Sequence, residues 1–154
     1  MTATSSLTDA LTSTTETAPF PAIDVWENRH PDRRFLITID VPEFTSVCPK
    51  TGLPDFGTLT IRYIPRETCI ELKAFKYYLL AYRNHGIFYE NVVNKVMEDI
   101  VTACNPHFVE VCGDFSARGG IRTQVRLRHV APGSEALAQA QSLDHMVLNT
   151  LNVT

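Results

Sequence analysis

The sequence predicts an α+β domain: an antiparallel four-stranded sheet with two helices packed on one of its faces. Three observations predict it. Apolar and polar residues alternate in two stretches of the first half and in two stretches of the second, the period of half-buried strands. Between them lie two stretches whose apolar residues recur every three or four positions, the period of helices with one buried face. No internal repeat is visible, and 154 residues suit one domain with a sizeable core.

The elements follow in order. Residues 1–20 are rich in Thr and Ser and poor in large apolar side chains. They cannot bury enough surface to order themselves, so they read as a flexible arm, ended by Pro19 and Pro21, with residues 21–154 as the domain. In RFLITIDV, Phe35, Ile37, Ile39 and Val41 share one face of a strand that Pro42 is expected to end. A long loop, FTSVCPKTGLPDFG, follows with four Pro and Gly breakers. In TLTIRYI the alternation returns, with Leu59, Ile61 and Tyr63 on one face, and Pro65 breaks it. The two strands read as an antiparallel pair.

The first helix begins in ELKAFKYYLLAYRNHGIFYE, the densest stretch of the chain. Leu72, Phe75, Leu79 and Tyr82 form its apolar stripe, and Asn84, His85 and Gly86 are expected to stop it, with Gly86 supplying a permissive backbone. Lys73 and Lys76 share one side, where they can hold an anion or form solvated surface. Phe88 to Cys104 forms the second helix, with Glu90 near its N-terminus and Asn105-Pro106 after its end. His107 to Phe115 reads as a third strand in which Gly113 marks a bulge or a close backbone approach. After the turn SARGG, IRTQVRLRHV forms a fourth, with Arg122, Gln124, Arg126 and Arg128 on its polar face. Residues 134–149 suggest a short C-terminal helix.

Composition narrows the function classes. Hydrophobic residues make up 44% and charged residues 20%, ordinary for a soluble globular protein. The net charge of −3 argues against a nucleic-acid binder that works by mass positive charge. No apolar run approaches a membrane span, and the N-terminus lacks the order of a secretory signal, so a cytoplasmic location is expected. Of the four cysteines, Cys69, Cys104 and Cys112 sit in apolar periodic segments and read as small core residues. Cys48 lies in the loop. The His and Cys spacings supply no evident zinc set, so no metal is expected.

Three blocks then carry a family likeness. ELKAFKYY followed by YRNHG, the loop FTSVCPKTGLPDFG and the turn FSARGG resemble, in this order, the motifs of the NADPH-dependent 7-cyano-7-deazaguanine reductases, the nitrile reductases of queuosine biosynthesis. The resemblance runs from about Phe44 to Ile121. It implies the tunnelling fold, whose element order agrees with the one read above. It also implies a homo-oligomer, typically two stacked pentamers with active sites between subunits. The implied reaction reduces a nitrile to a primary amine with two NADPH. Cys48 matches the nucleophile that forms a thioimidate, and Asp55 the proton-transfer residue. Glu90 matches the carboxylate that anchors the deazaguanine ring. Ile70, Glu71 and Leu72 match the segment lining the substrate; Lys73, Lys76 and Arg118 match positions associated with the NADPH phosphates. Many members have His where this chain has Tyr89, so Tyr89 is expected to contact substrate without titrating near neutrality.

The chemistry explains why such residues are needed. A nitrile carbon resists hydride, and thiolate addition splits the hard step into easier ones. An ordinary thiol, with pKa about 8.5, is mostly protonated at neutral pH. Asp55 is therefore expected to accept the thiol proton and pass it to the nitrile nitrogen. Glu90 can accept two N–H bonds from a guanine-like edge. No G-x-G-x-x-G fingerprint is present, so cationic side chains must hold the phosphates. Two other readings remain: a metal-dependent cyclohydrolase of the same fold, which a metal assay on purified protein would detect, and a non-catalytic purine-binding scaffold in which Cys48 is inert.

Overall fold

A computed structural model describes residues 19–136 and residue 139. The element order is β1 (Val25–Glu27), β2 (Ile37–Val47), β3 (Pro54–Ile64), β4 (Thr68–Ile70), α1 (Leu72–Ala81), α2 (Tyr89–Cys104), β5 (Phe108–Arg118) and β6 (Ile121–Val130). Four strands form one antiparallel sheet in the order β2-β3-β5-β6. The core lies between this sheet and the helices: Leu59, Ile61 and Tyr63 of β3 and Val109, Val111 and Phe115 of β5 meet Phe75 and Tyr82 from the α1 side and Val92, Val93, Val96 and Ile100 of α2. That is the strand-strand-helix-helix-strand-strand order of the tunnelling fold. Among the described residues, no helix is long and apolar enough to cross a membrane. The expected arm falls mostly outside the described residues, and so does the C-terminal helix expected from Ser134 to Asn149.

Four details differ from the sequence reading. First, Pro42 does not end its strand. Because β2 is an edge strand, a missing N–H is tolerated there, and a register shift between Val41 and Phe44 absorbs it. The ladder then resumes through Thr45↔Phe56, Ser46↔Asp55 and Val47↔Pro54. Most of the expected long loop is therefore strand, and only residues 48–53 turn. Second, two short strands, β1 and β4, pair antiparallel as a separate sheet. Three-residue strands are too short for alternation to show.

Third, Leu72 does not join the buried stripe; it is 61% exposed, while Phe75, Tyr78 and Leu79 are buried. Tyr78 is the residue the stripe omitted, and its hydroxyl reaches Asp99 at 2.6 Å and Tyr82 at 2.8 Å. Fourth, α1 stops by tightening into a 3-10 turn, Tyr82–Asn84, after which His85 is extended. Gly86 is not among the residues with positive φ, so it supplies no left-handed cap. The second helix ends as expected, with Asn105 left-handed at φ 40°.

The face of the sheet turned away from the helices is polar. Glu110, almost fully buried, takes Arg62 at 3.0 Å and Arg128 at 2.5 Å. Burial pushes its carboxyl up, but the arginines outweigh that and hold it below the usual range.

Gly113 is a close-approach glycine. A Cβ there would lie 2.7 Å from the Phe115 ring and 2.9 Å from Val93. Gly57 on the neighbouring strand meets the same ring, at 2.9 Å, and the Asp114 carbonyl at 2.8 Å. The two glycines clear the space that Phe115 fills. Gly113→Ala should therefore overpack a closed site and cost about 1–3 kcal/mol of stability. Denaturant unfolding of the variant beside the wild type measures this, and an unchanged midpoint would show that the ring can move aside.

Candidate active site

The site is built on the turn between β2 and β3. The Cys48 N–H donates to the Leu53 carbonyl at 2.9 Å, and the Gly52 N–H donates to the Cys48 carbonyl at 2.9 Å. Gly52 adopts φ 69°, a conformation that glycine takes without strain. The Leu53 N–H donates to the Thr51 hydroxyl at 3.3 Å. These bonds fold residues 48–53 under the sulfur, and β-pairing sets Asp55 across from Ser46, two residues before Cys48.

Cys48 is only 8% exposed, yet its thiol is lowered to about 6. The Thr51 hydroxyl contributes most, followed by the backbone N–H groups of Lys50 and Thr51, with burial opposing and Arg118 adding a further hydrogen bond. Donors that point at sulfur favour the thiolate. This differs from the sequence expectation of a thiol mostly protonated at neutral pH. The turn amides and Thr51, residues the sequence reading did not single out, favour the thiolate. The other thiols behave in the opposite way. Burial raises Cys69, and burial together with Cys69 pushes Cys104 up to about 12.

Asp55 is 5% exposed and forms an ion pair with Arg118, at the far end of β5. Arg118 is 46% exposed and also reaches the Pro54 carbonyl at 3.5 Å. The double-glycine turn after it, with Gly119 at φ 58° and Gly120 at φ 79°, aims the arginine back over β3. In this arrangement Arg118 serves the Cys48–Asp55 pair.

The N-terminus of α2 joins the site through the backbone. The Val47 N–H donates to the His85 carbonyl at 3.1 Å, and the Ile87 N–H donates to the Val47 carbonyl at 3.0 Å. This clasp holds the segment before α2 alongside the end of β2 and brings Tyr89 near Cys48. Tyr89 stacks on Phe115, with centroids 3.9 Å apart and planes at 14°. Burial, and then the Cys48 charge, raise its hydroxyl. Glu90 follows it in the first helical turn, exposed to solvent.

The remaining candidates are held by contacts of their own at the start of α1. Ile70 is buried, and its N–H donates to the Tyr63 hydroxyl at 3.1 Å. The Glu71 carboxylate caps α1, accepting from the N–H groups of Lys73 at 2.9 Å and Ala74 at 2.7 Å. These two bonds, Lys73 first, hold its carboxyl below the usual range. Lys73 and Lys76 are exposed. Lys76 and Arg83 stand at a groove of about 300 Å³ between α1 and β2, whose walls include Ile39, Val41, Leu72 and Leu79. Cations beside apolar walls are surroundings that a nucleotide with phosphates can use, and of the three candidate cofactor residues Lys76 lines this groove while Lys73 and Arg118 do not. Among the described residues, no three His, Cys, Asp or Glu side chains are grouped to hold a metal ion.

Residues 54–134 match the family model described as QueF-like protein. The chain is 53% identical over 111 residues to the NADPH-dependent 7-cyano-7-deazaguanine reductase of Chlorobium phaeovibrioides, covering 72% of this chain and 96% of that protein. It is 56% identical over 108 residues to the protein of the same name from Elusimicrobium minutum, covering 70% and 81%. Among solved structures, the apo form of the archaeosine synthase QueF-Like superimposes with a TM-score of 0.57 at 27% identity, over 60% of this chain and 91% of that one.

The thiol gives a direct test of the geometry. Alkylation of Cys48, followed peptide by peptide by mass spectrometry, should rise with pH and reach half its plateau near pH 6. The buried Cys69 and Cys104 should stay unmodified. Thr51→Val removes the strongest donor and should move the Cys48 midpoint to higher pH. A wild-type midpoint near the ordinary thiol value, about 8.5, would contradict the turn's role.

Proposed function

Because the chain belongs to the family of the NADPH-dependent 7-cyano-7-deazaguanine reductases, we propose that it reduces the nitrile of 7-cyano-7-deazaguanine to 7-aminomethyl-7-deazaguanine. The reaction takes two NADPH, passes through a thioimidate on Cys48 and serves queuosine synthesis in the cytoplasm. The single observation that carries this reading is a thiol lowered to about 6 beside a buried carboxylate on the same hairpin.

The residues divide the work. The Cys48 thiolate attacks the nitrile carbon, forming the C–S bond as one C≡N electron pair moves to nitrogen. The nitrogen then needs a proton, and Asp55, across the ladder, is placed to deliver it. Asp55, in its ion pair with Arg118, first takes up the proton that the Cys48 thiol gives up and then passes it to the nitrogen, so the proton lost by sulfur is the one gained by nitrogen. Glu90 accepts N–H bonds from the ring edge, and its exposure at the start of α2 leaves it open to a ligand. The Tyr89 hydroxyl adds a hydrogen bond to substrate, its ring fixed by Phe115. Ile70, Glu71 and Leu72 line the substrate, the last through its exposed side chain. NADPH, when bound, supplies the hydrides; Lys73, Lys76 and Arg118 hold its phosphates, and for Arg118 this means sharing its charge with Asp55. No metal is assigned a part.

The chain works as a homo-oligomer, a decamer of two stacked pentamers, with no part in binding nucleic acid or membrane. Among the described residues, the two sheet edges, β6 and β2 up to its clasped end at Val47, pair with no further strand. Leu53, Phe56, Phe88 and Ile121, all exposed, lie on or next to the elements that form the site. A second copy covering them would exclude water from the thiolate, which strengthens every charge interaction there.

Purified protein with NADPH should oxidise it only when 7-cyano-7-deazaguanine is added, and should consume about two NADPH per nitrile, since a nitrile is four electrons above a primary amine in oxidation state. Oxidation that ignores the nitrile, or none at all, would overturn the proposed reaction.

A further inference from the structure

Ser46 is fully buried, and its Oγ has no hydrogen-bond partner among the described residues. Its neighbours on β2 and the turn, Val47 and Cys48, are engaged through their backbones, but the Ser46 hydroxyl itself is not used. A buried hydroxyl left unpaired costs about 1–3 kcal/mol, so an orphan of this kind in a packed site calls for a use.

Its position names the use. Ser46 and Asp55 are directly opposed in the β2–β3 ladder. Directly opposed residues project to the same face with Cβ atoms about 4.5–5.5 Å apart. Both are buried on that face, and Cys48 follows two residues later on the same side. Asp55 has capacity to spare: a carboxylate offers about four acceptor sites, and Arg118 is the partner it shows. Serine has one free side-chain torsion, and its O–H rotates to suit.

We infer that Ser46 is a positioning residue for the proton relay: its hydroxyl, unpaired in the structure, turns about its side-chain torsion to bond the Asp55 carboxyl when substrate is bound and holds it toward the nitrogen that the nitrile develops. This rests on the reading of Asp55 as the proton donor. When Asp55 is protonated, Ser46 accepts from it or fixes its second oxygen. Once the proton has passed to nitrogen, Ser46 donates to the carboxylate left behind, alongside Arg118. The proton leaves Asp55 and arrives on nitrogen; Ser46 neither gains nor loses one. Among the described residues, Arg118 from β5 pairs with Asp55 and reaches Cys48 on the turn, and Cys48 in turn acts on Tyr89 from α2. A neutral donor suits the place, because a second cation beside Arg118 would further oppose proton uptake by Asp55 and a further anion would oppose the thiolate.

Ser46→Ala and Asp55→Asn, each in the full chain, test the assignment against wild type. The readouts are the rate of covalent adduct formation with 7-cyano-7-deazaguanine without NADPH, its pH profile, the affinity for the nitrile and the melting temperature. Ser46→Ala should slow adduct formation by about tenfold with affinity unchanged, the pattern of an interaction made in the transition state. Loss of a donor disfavours the carboxylate, so the alkaline limb of the profile should move to higher pH. The melting temperature should hold or rise, because the variant removes an orphan hydroxyl. A merely structural serine would move none of the rate, the limb or the affinity. If Asp55→Asn is slow and Ser46→Ala matches wild type, the Ser46 role is overturned and the relay stands. If Ser46→Ala melts lower with an unshifted limb, the hydroxyl serves packing and the role is likewise overturned. Should Asp55→Asn itself match wild type, the relay fails and the Ser46 role with it.

Discussion

Everything at the site depends on the turn that closes the β2–β3 ladder. Two backbone hydrogen bonds, Cys48 N–H to Leu53 and Gly52 N–H to Cys48, fold six residues into a cup beneath the sulfur. The same fold points the Thr51 hydroxyl and the amides of Lys50 and Thr51 at it. A turn with its N–H groups converging acts as a small fixed positive field. The ladder that ends in this turn also fixes the carboxylate, since register pairing decides what stands opposite Ser46. One local constraint thus favours the thiolate and sets the Asp55 carboxyl beside it.

Other parts of the fold brace that turn. The His85 carbonyl and Ile87 N–H clasp Val47 from both sides, which ties the start of α2 to the end of β2. Tyr89 comes with it and rests on Phe115, which exists in that place only because Gly57 and Gly113 carry no Cβ. Arg118 arrives from the far end of β5 through a tight glycine turn. Strand ends, a helix start and a hairpin tip therefore converge on one sulfur, each placed by backbone bonding rather than by its own side-chain flexibility. Such sites hold geometry better than sites on free loops.

How much of this the sequence shows depends on the range of the cause. The four main strands and both helices are legible because periodicity is a local signal: Ile37, Ile39 and Val41 alternate, and Val92, Val96 and Ile100 recur, whatever the partner. Gly113 is legible as a bulge or a close approach, though not which of the two or what approaches it. The end of the first strand is not legible, because Pro42 stops a central strand but not an edge one, and position in the sheet is a tertiary fact. Leu72 looks like core by spacing and is exposed because α1 turns that end outward. In the site, Cys48, Asp55 and Tyr89 are found by motif and are brought together by the fold. The depressed thiol is not legible, since it arises from Thr51 and from backbone amides that any turn sequence carries. Ser46 gave no signal at all; only its burial and register distinguish it from a strand serine.

The central claim is that the turn-held Cys48 is the nucleophile for the nitrile carbon. The direct measurement is the intact mass of the chain after mixing with 7-cyano-7-deazaguanine, without NADPH, for wild type and Cys48→Ala. Addition to a nitrile expels nothing, so wild type should gain the whole mass of the substrate and Cys48→Ala should gain none while still binding it. A full-mass adduct on Cys48→Ala would place the nucleophile elsewhere and contradict the account.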